Sequence, residues 1–170
     1  MKKRRSGFTL IELIVVIAII GVLAAILVPS MLGYVKKSKV SSANSEANTY
    51  QKAINSALIE LDEEYDSGSE IMTIERVDVD DTEVTITPSS VETEIGKDVV
   101  WNKITHFLDK SRKATFKAQC DGGAVKAVAV CANSTYTGTY PSGVVTVDNY
   151  KEYKGDYEKA LTDALAKVPD

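Results

Sequence analysis

Two patterns of apolar residues follow one another along the first 65 residues. Residues 8–35 form a run of mainly Ile, Leu, Val and Ala with one charged side chain, Glu12. At about 1.5 Å per residue, a helix of this length crosses a hydrocarbon core of about 30 Å. Beyond it, apolar residues recur at three- and four-residue steps, which predicts that the helix continues with one face on a core. We expect a single helix over residues 8–65, ending before the turn-forming segment 66–69, with this apolar stripe: Val40, Ala43, Ala47, Tyr50, Ile54, Ala57, Leu58, Leu61 and Tyr65.

The middle of the chain has the shorter period of β-strands. Residues 71–74 and 83–87 read as short extended segments, with Asp80 and Asp81 in a turn between them and Pro88 after. Residues 99–108 have helical spacing and predict a short helix.

The last third predicts a hairpin and a final helix. The hairpin joins residues 114–120 to residues 124–131 through the turn 121–123. Residues 144–147 predict another strand after a loop over 133–143. Tyr157, Leu161, Ala164, Leu165 and Val168 have the spacing of an amphipathic helix. The predicted fold class is α+β: a long N-terminal helix packed on an antiparallel β-sheet, with a C-terminal helix.

Glu12 is the most unusual residue in the apolar run. An ionised carboxylate at the centre of a bilayer costs at least about 2.5 kcal/mol, so such a residue is a functional candidate. Four cations at residues 2–5 precede the run, and the first lysine after it is Lys36. The positive-inside rule therefore predicts a cytoplasmic N-terminus and a single membrane pass. An ordinary secretory signal peptide is the alternative, but the run is longer than usual and no clear small-residue cleavage site follows it.

The motif GFTLIEL at residues 7–13, followed by Gly21 and Pro29, resembles the class III signal of type IV pilins and pseudopilins. The resemblance covers residues 2–29 and implies that a prepilin peptidase cuts between Gly7 and Phe8 and N-methylates Phe8. It also implies that Glu12 is the assembly glutamate and that Pro29 is the helix-kinking proline.

The resemblance gives the segments of the chain their roles. Residues 1–7 are a leader that is removed, 8–35 a transmembrane or filament-core helix, 36–66 its amphipathic continuation and 67–170 a globular β-rich head. The new ammonium at Phe8 and the Glu12 carboxylate of a neighbouring subunit are each costly alone in an apolar core and compensated together. Such a pair would set the register between subunits. Gly21 and Pro29 would soften the helix, although a plain kink at a membrane boundary explains Pro29 equally well.

Three functions are compatible with these observations. The first is the structural subunit of a type IV pilus, held in the cytoplasmic membrane and then polymerised with copies of itself at the cell surface. Its implied partners are the prepilin peptidase and methyltransferase, an assembly platform and ATPases. The second is a pseudopilin of a type II secretion or DNA-uptake system. The third is a membrane-anchored enzyme or binding domain whose N-terminus mimics the signal.

The remaining chemistry points away from catalysis and cofactors. The single histidine, His106, has no matching nucleophile motif. The acidic residues Asp78, Asp80 and Asp81 lack the glycine and the closing glutamate of a calcium loop. The net charge of −4 disfavours general nucleic-acid binding. Lys110, Arg112, Lys113 and Lys117 could form a local basic patch, but an ordinary solvated strand and loop face is favoured. Tyr136, Tyr140 and Tyr150 lie in a polar loop region and are candidate surface contacts, although ordinary loop packing explains them at least as well.

The two cysteines are too far apart for a disulfide if the hairpin is correct. Cys120 would lie beside the turn and Cys131 about eight residues along the partner strand. At about 3.3 Å per residue this separation exceeds 20 Å, whereas bridged Cα atoms lie less than about 7 Å apart. We therefore expect both to be buried, reduced thiols.

Overall fold

The computed structural model describes residues 8–65, 71–80, 83–108, 115–133 and 135–169. The chain divides into two units, Met1–Lys36 and Lys37–Asp170. Helix α1, Leu10–Tyr65, begins in the first unit and ends in the second, close to the predicted bounds. The predicted end of the helix at residues 66–69 lies outside the described residues.

The second half of α1 buries the stripe that its periodicity predicts. Tyr65 is the exception: it is 40% exposed, because it lies at the last residue of the helix, one turn beyond the last buried position. The buried residues of α1 are Val40, Ala43, Ala47, Tyr50, Ala53, Ile54, Ala57, Leu58 and Leu61.

The second unit contains one five-stranded antiparallel sheet in the order β2-β1-β3-β4-β5. Its strands are β1 (Arg76–Asp80), β2 (Glu83–Thr87), β3 (Phe116–Asp121), β4 (Ala124–Asn133) and β5 (Tyr136–Tyr140). The helices after α1 are α2 (Ser89–Glu94), α3 (Lys97–His106) and α4 (Tyr157–Leu165). The predicted α+β class is confirmed, including the C-terminal helix.

Side chains of β4 alternate between two cores. Val128 and Val130 pack in a core with the stripe of α1, whereas Ala127 and Ala129 pack in a second core with α4. This alternation is the period of two expected of a strand covered on both faces.

The strand predicted at residues 71–74 is wrong. Residues Ile71–Thr73 form a 3₁₀ turn in which the Ile74 N–H donates to the Ile71 carbonyl at 3.2 Å. Both isoleucines are buried. A strand would place residues three apart on opposite faces, so only the turn brings both side chains into the core.

Strand β1 was not predicted, because its aspartates look like turn residues. Asp80 is the last residue of β1 and pairs with Glu83, while Asp81 lies outside the described residues. Arg76 stabilises Asp78 within the strand, because the Arg76 Nε lies 2.9 Å from the Asp78 carboxylate. Strand β2 and helix α3 match their predictions, with α3 beginning two residues earlier than expected.

The predicted hairpin between β3 and β4 is confirmed. Its turn is Gly122 and Gly123, with φ of 57° and 75°, the left-handed region that a two-residue turn of this kind requires. Asp121, which the prediction places in the turn, pairs instead with Ala124.

The hairpin register separates the two cysteines. Cys120 pairs with Val125 beside the turn, and Cys131 pairs with Thr137 of β5. Neither thiol is in a disulfide. Cys120 is buried, but Cys131 is only partly buried, contrary to the expectation for it, because it lies where β4 loses regular register near its end.

The final strand lies in the segment predicted as a loop, and the predicted strand at residues 144–147 is irregular. In that segment the Asn149 side chain accepts from the Thr146 N–H at 2.7 Å and donates to the Val144 carbonyl at 3.0 Å. These local bonds close a turn in place of a strand. Strand β5 forms instead because its middle residues are buried, which the polar sequence YTGTY does not reveal.

Polar side chains of α1 attach the helix to the backbone of the sheet. The Asn44 amide accepts from the Thr139 N–H at 3.0 Å and donates to the Val145 carbonyl at 3.2 Å. The approach is closest at Gly138, where an added β-carbon would overlap the carbonyl of Ala43. The helix backbone and β5 are therefore in direct contact.

Candidate functional site

The first part of α1 exposes a continuous apolar surface. The large side chains of residues 8–35 are between 43% and 79% exposed, with Phe8 the most exposed. Among the described residues, α1 is the one helix long and apolar enough to cross a membrane, and its most apolar part has no buried residues. Burial of this surface in lipid or against other helices would be strongly favourable.

Glu12 lies in the first turn of α1 and forms a capping box with Thr9. Its carboxylate accepts from the Thr9 N–H at 2.8 Å and from the Thr9 hydroxyl at 2.7 Å. The Glu12 N–H donates in turn to the Thr9 hydroxyl oxygen at 3.3 Å. This reciprocal pairing satisfies backbone donors that a helix start leaves open. Thr9 was not singled out from the sequence, although the spacing Thr-x-x-Glu is the known sign of such a cap.

The carboxylate is surrounded by apolar side chains. Phe8, Ile11, Val15 and Val16 line an open notch together with Glu12. No basic side chain of the described residues forms an ion pair with Glu12. The site therefore offers one carboxylate, held in place by Thr9, to a cation brought by another molecule. Gly7, the other predicted cleavage residue, lies outside the described residues.

Pro29 lies inside α1, and the helix continues on both sides of it. Proline has no N–H to donate to the preceding turn, so the helix has one bond fewer here. Gly21 and Gly33 lie on open surface, where an added β-carbon would meet nothing within 4 Å.

The other candidate residues do not come together into a site. His106 is in the last turn of α3, edge-on to Phe107 with ring centroids 5.4 Å apart. Tyr136 stacks on Tyr150 with ring centroids 4.9 Å apart. Tyr140 packs against the main core, which is the core that contains the stripe of α1. Among the described residues, no group of three His, Cys, Asp or Glu side chains is placed to hold a metal.

Asp78 and Lys117 belong to an ion-pair network that joins the sheet to α4. The Arg76 guanidinium bonds both oxygens of Glu158, with Nη1 at 2.9 Å from Oε1, and its Nε bonds Asp78. Lys117 Nζ lies 3.2 Å from both Asp78 and Glu158. Hydrogen bonding from Arg76 lowers the pKa of Glu158 to about 2. The network stabilises the fold by joining the sheet to α4, and its two carboxylates already neutralise Lys117. The other three residues of the suggested basic patch, Lys110, Arg112 and Lys113, lie outside the described residues.

Comparison with known proteins identifies the class of this N-terminal segment. Residues 2–28 match the family described as the prokaryotic N-terminal methylation motif. The matched segment is the one that resembles the N-terminal signal of type IV prepilins, and Phe8 and Glu12 lie inside it.

The curated relatives extend the likeness beyond the motif. The chain is 47% identical over 60 residues to the type IV major fimbrial protein FimA of Dichelobacter nodosus, covering 35% of this chain and 38% of that protein. It is 47% identical over 58 residues to a fimbrial protein of Pseudomonas aeruginosa, covering 34% and 38%. It is 43% identical over 68 residues to the type IV major pilin protein PilA of Myxococcus xanthus (strain DK1622), covering 40% and 31%.

These matches have a limited reach. The chain spans less than two fifths of the length of these relatives. No solved structure gives a significant match. The likeness to each relative therefore covers between 34% and 40% of this chain.

Proposed function

We propose that this chain is the structural subunit of a type IV pilus. In this proposal it is cleaved after Gly7, N-methylated at Phe8, and polymerised through its N-terminal helix into an extracellular filament for adhesion, twitching motility or biofilm formation. The observation that carries the proposal is the Thr9-held Glu12 in an exposed apolar helix, within a segment that matches the methylation motif.

Before assembly, the subunit would be a single-pass protein of the cytoplasmic membrane. The four cations of residues 2–5 favour a cytoplasmic N-terminus. A prepilin peptidase and methyltransferase would remove them, and residues 8–35 would then remain in the membrane until an assembly platform and its ATPases extract them. In the filament, residues 36–66 would connect this helix to a head formed by residues 67–170.

Assembly would pair Glu12 of one subunit with the Phe8 ammonium of another. In the isolated chain, Thr9 supplies two donors to the carboxylate. An ammonium at the same notch would add a charge-assisted bond, stronger than a neutral one in an apolar surrounding. Because the pair forms at one axial offset, it would fix the register of the helix bundle, while apolar burial supplies most of the energy.

The proposed protein is a structural one with no catalytic function. The relatives are named as fimbrial and pilin proteins, which favours a pilus subunit over a pseudopilin of a secretion or DNA-uptake system. No cofactor is part of the proposal.

Glu12→Ala tests the assembly role. Membrane insertion and cleavage should be unchanged, whereas sheared surface filaments should fall about hundredfold, since an unpaired buried charge costs about 3 kcal/mol or more. Glu12→Gln is the matched control for helix capping, because an amide oxygen can still accept from Thr9. We expect it also to fail. Assembly of Glu12→Ala at the wild-type level would contradict the pairing.

A further inference from the structure

A second surface of the chain has the chemistry of an interface between copies. An open groove lies along α1 where the helix meets the loop after β5. Its lining includes Lys37, Ser41, Asn44, Ser45 and Ser142. All of these residues belong to the unit Lys37–Asp170.

The groove offers donors that the chain itself does not use. Lys37 is exposed and has no carboxylate within 4 Å among the described residues. The hydroxyls of Ser41, Ser45 and Ser142 have no hydrogen-bond partner in the same set. By contrast, both ends of the Asn44 amide are occupied by the sheet and the neighbouring loop. One ammonium beside three hydroxyls is suited to an acidic partner.

A complementary acidic segment lies at the C-terminal end of the same helix. The last turns of α1 carry Glu60, Asp62, Glu63 and Glu64, and the last turn contains no basic residue. Lys103 of α3 pairs with Glu60 and Glu64, at 3.4 and 2.8 Å. Glu63 is exposed and has no ion pair within the described part of the chain. Negative charge at a helix C-terminus is unfavourable, so an external cation would relieve it.

We propose that the Lys37 groove of one copy receives the Glu63 end of α1 of a second copy in the filament. This inference rests on the proposed function, since it requires parallel copies in one fibre. Lys37 and Glu63 are 26 residues apart on α1, so the two copies would be staggered by about 39 Å along the helix axis. If the Phe8–Glu12 pair joins two copies at a shorter axial offset, the Lys37–Glu63 pair joins copies that lie farther apart along the fibre.

Charge reversal with rescue tests the contact. Lys37→Glu and Glu63→Lys should each reduce sheared filaments by about threefold or more, in the range of an exposed ion pair plus the repulsion that replaces it. The double variant should recover most of the yield. Lys52→Glu, an exposed lysine on the same helix outside the groove, is the matched control and should assemble normally.

Cysteine cross-linking tests the geometry directly. In intact filaments, Lys37→Cys combined with Glu63→Cys should give a ladder of oxidised multimers, whereas each single variant and the wild type should not. Unchanged yield in both charge reversals, or absence of the ladder, would overturn this contact. If the wild type forms no filament at all, the proposed function fails instead, so the two failures are distinguishable.

Discussion

Gly138→Ala should destabilise the unit Lys37–Asp170 more than any ordinary surface change. A β-carbon at Gly138 would overlap the carbonyl oxygen and carbon of Ala43 and lie 3.0 Å from the Asn44 nitrogen. All three are backbone atoms of α1, so no flexible side chain can move aside. The helix would have to shift from β5, which strains the bond from Thr139 to Asn44. Overpacking of this kind costs about 1–3 kcal/mol.

The single tryptophan provides the assay. Trp101 packs against the main core, with its ring centroid 6.3 Å from that of Phe116. Unfolding of the full chain in detergent, followed by tryptophan fluorescence, should show a midpoint lower by roughly 4–12 °C for Gly138→Ala. The control is Gly33→Ala, since a β-carbon there meets nothing within 4 Å. A Gly138→Ala protein as stable as the wild type, within about 0.5 kcal/mol, would refute the close helix-to-sheet approach.

Two further predictions concern ionisable groups. The bond to Arg76 lowers the pKa of Glu158 to about 2. The network therefore stabilises the fold fully above the ordinary glutamate pKa, near 4.5, and this contribution is lost as the pH falls from 4.5 towards 2. Because Glu158 is 56% exposed, we expect about 1 kcal/mol at most, and Glu158→Gln should remove this part of the pH dependence of unfolding monitored by Trp101. Burial raises the pKa of the Cys120 thiol to about 12, so maleimide at pH 8 should modify Cys120 only after denaturation. Peptide mapping separates this site from Cys131, which is only partly buried, and modification of Cys120 in the folded chain would show that the β3–β4 hairpin is placed wrongly.

Patterns with a local cause could be predicted from the sequence. The stripe of α1 and the spacing of α4 repeat over several turns, and Gly122 and Gly123 between alternating residues mark a hairpin. In each case the residues that create the element are close in sequence.

Elements that depend on distant partners could not be predicted. Strand β1 carries Asp78, whose charge is compensated by Lys117, 39 residues away. Strand β5 is buried because α1 packs on Gly138, a contact across about 95 residues of chain that no local pattern contains. At the candidate site, the motif indicated Phe8 and Glu12. The proposed groove at Lys37 could not be predicted, because the fold is needed to bring residues 142–147 beside α1.

Mass spectrometry of sheared surface filaments tests the central claim most directly. Filaments composed mainly of this chain, with every copy beginning at N-methylated Phe8, are the predicted result. Filaments that lack this chain, or a surface form that retains residues 1–7, would contradict the account.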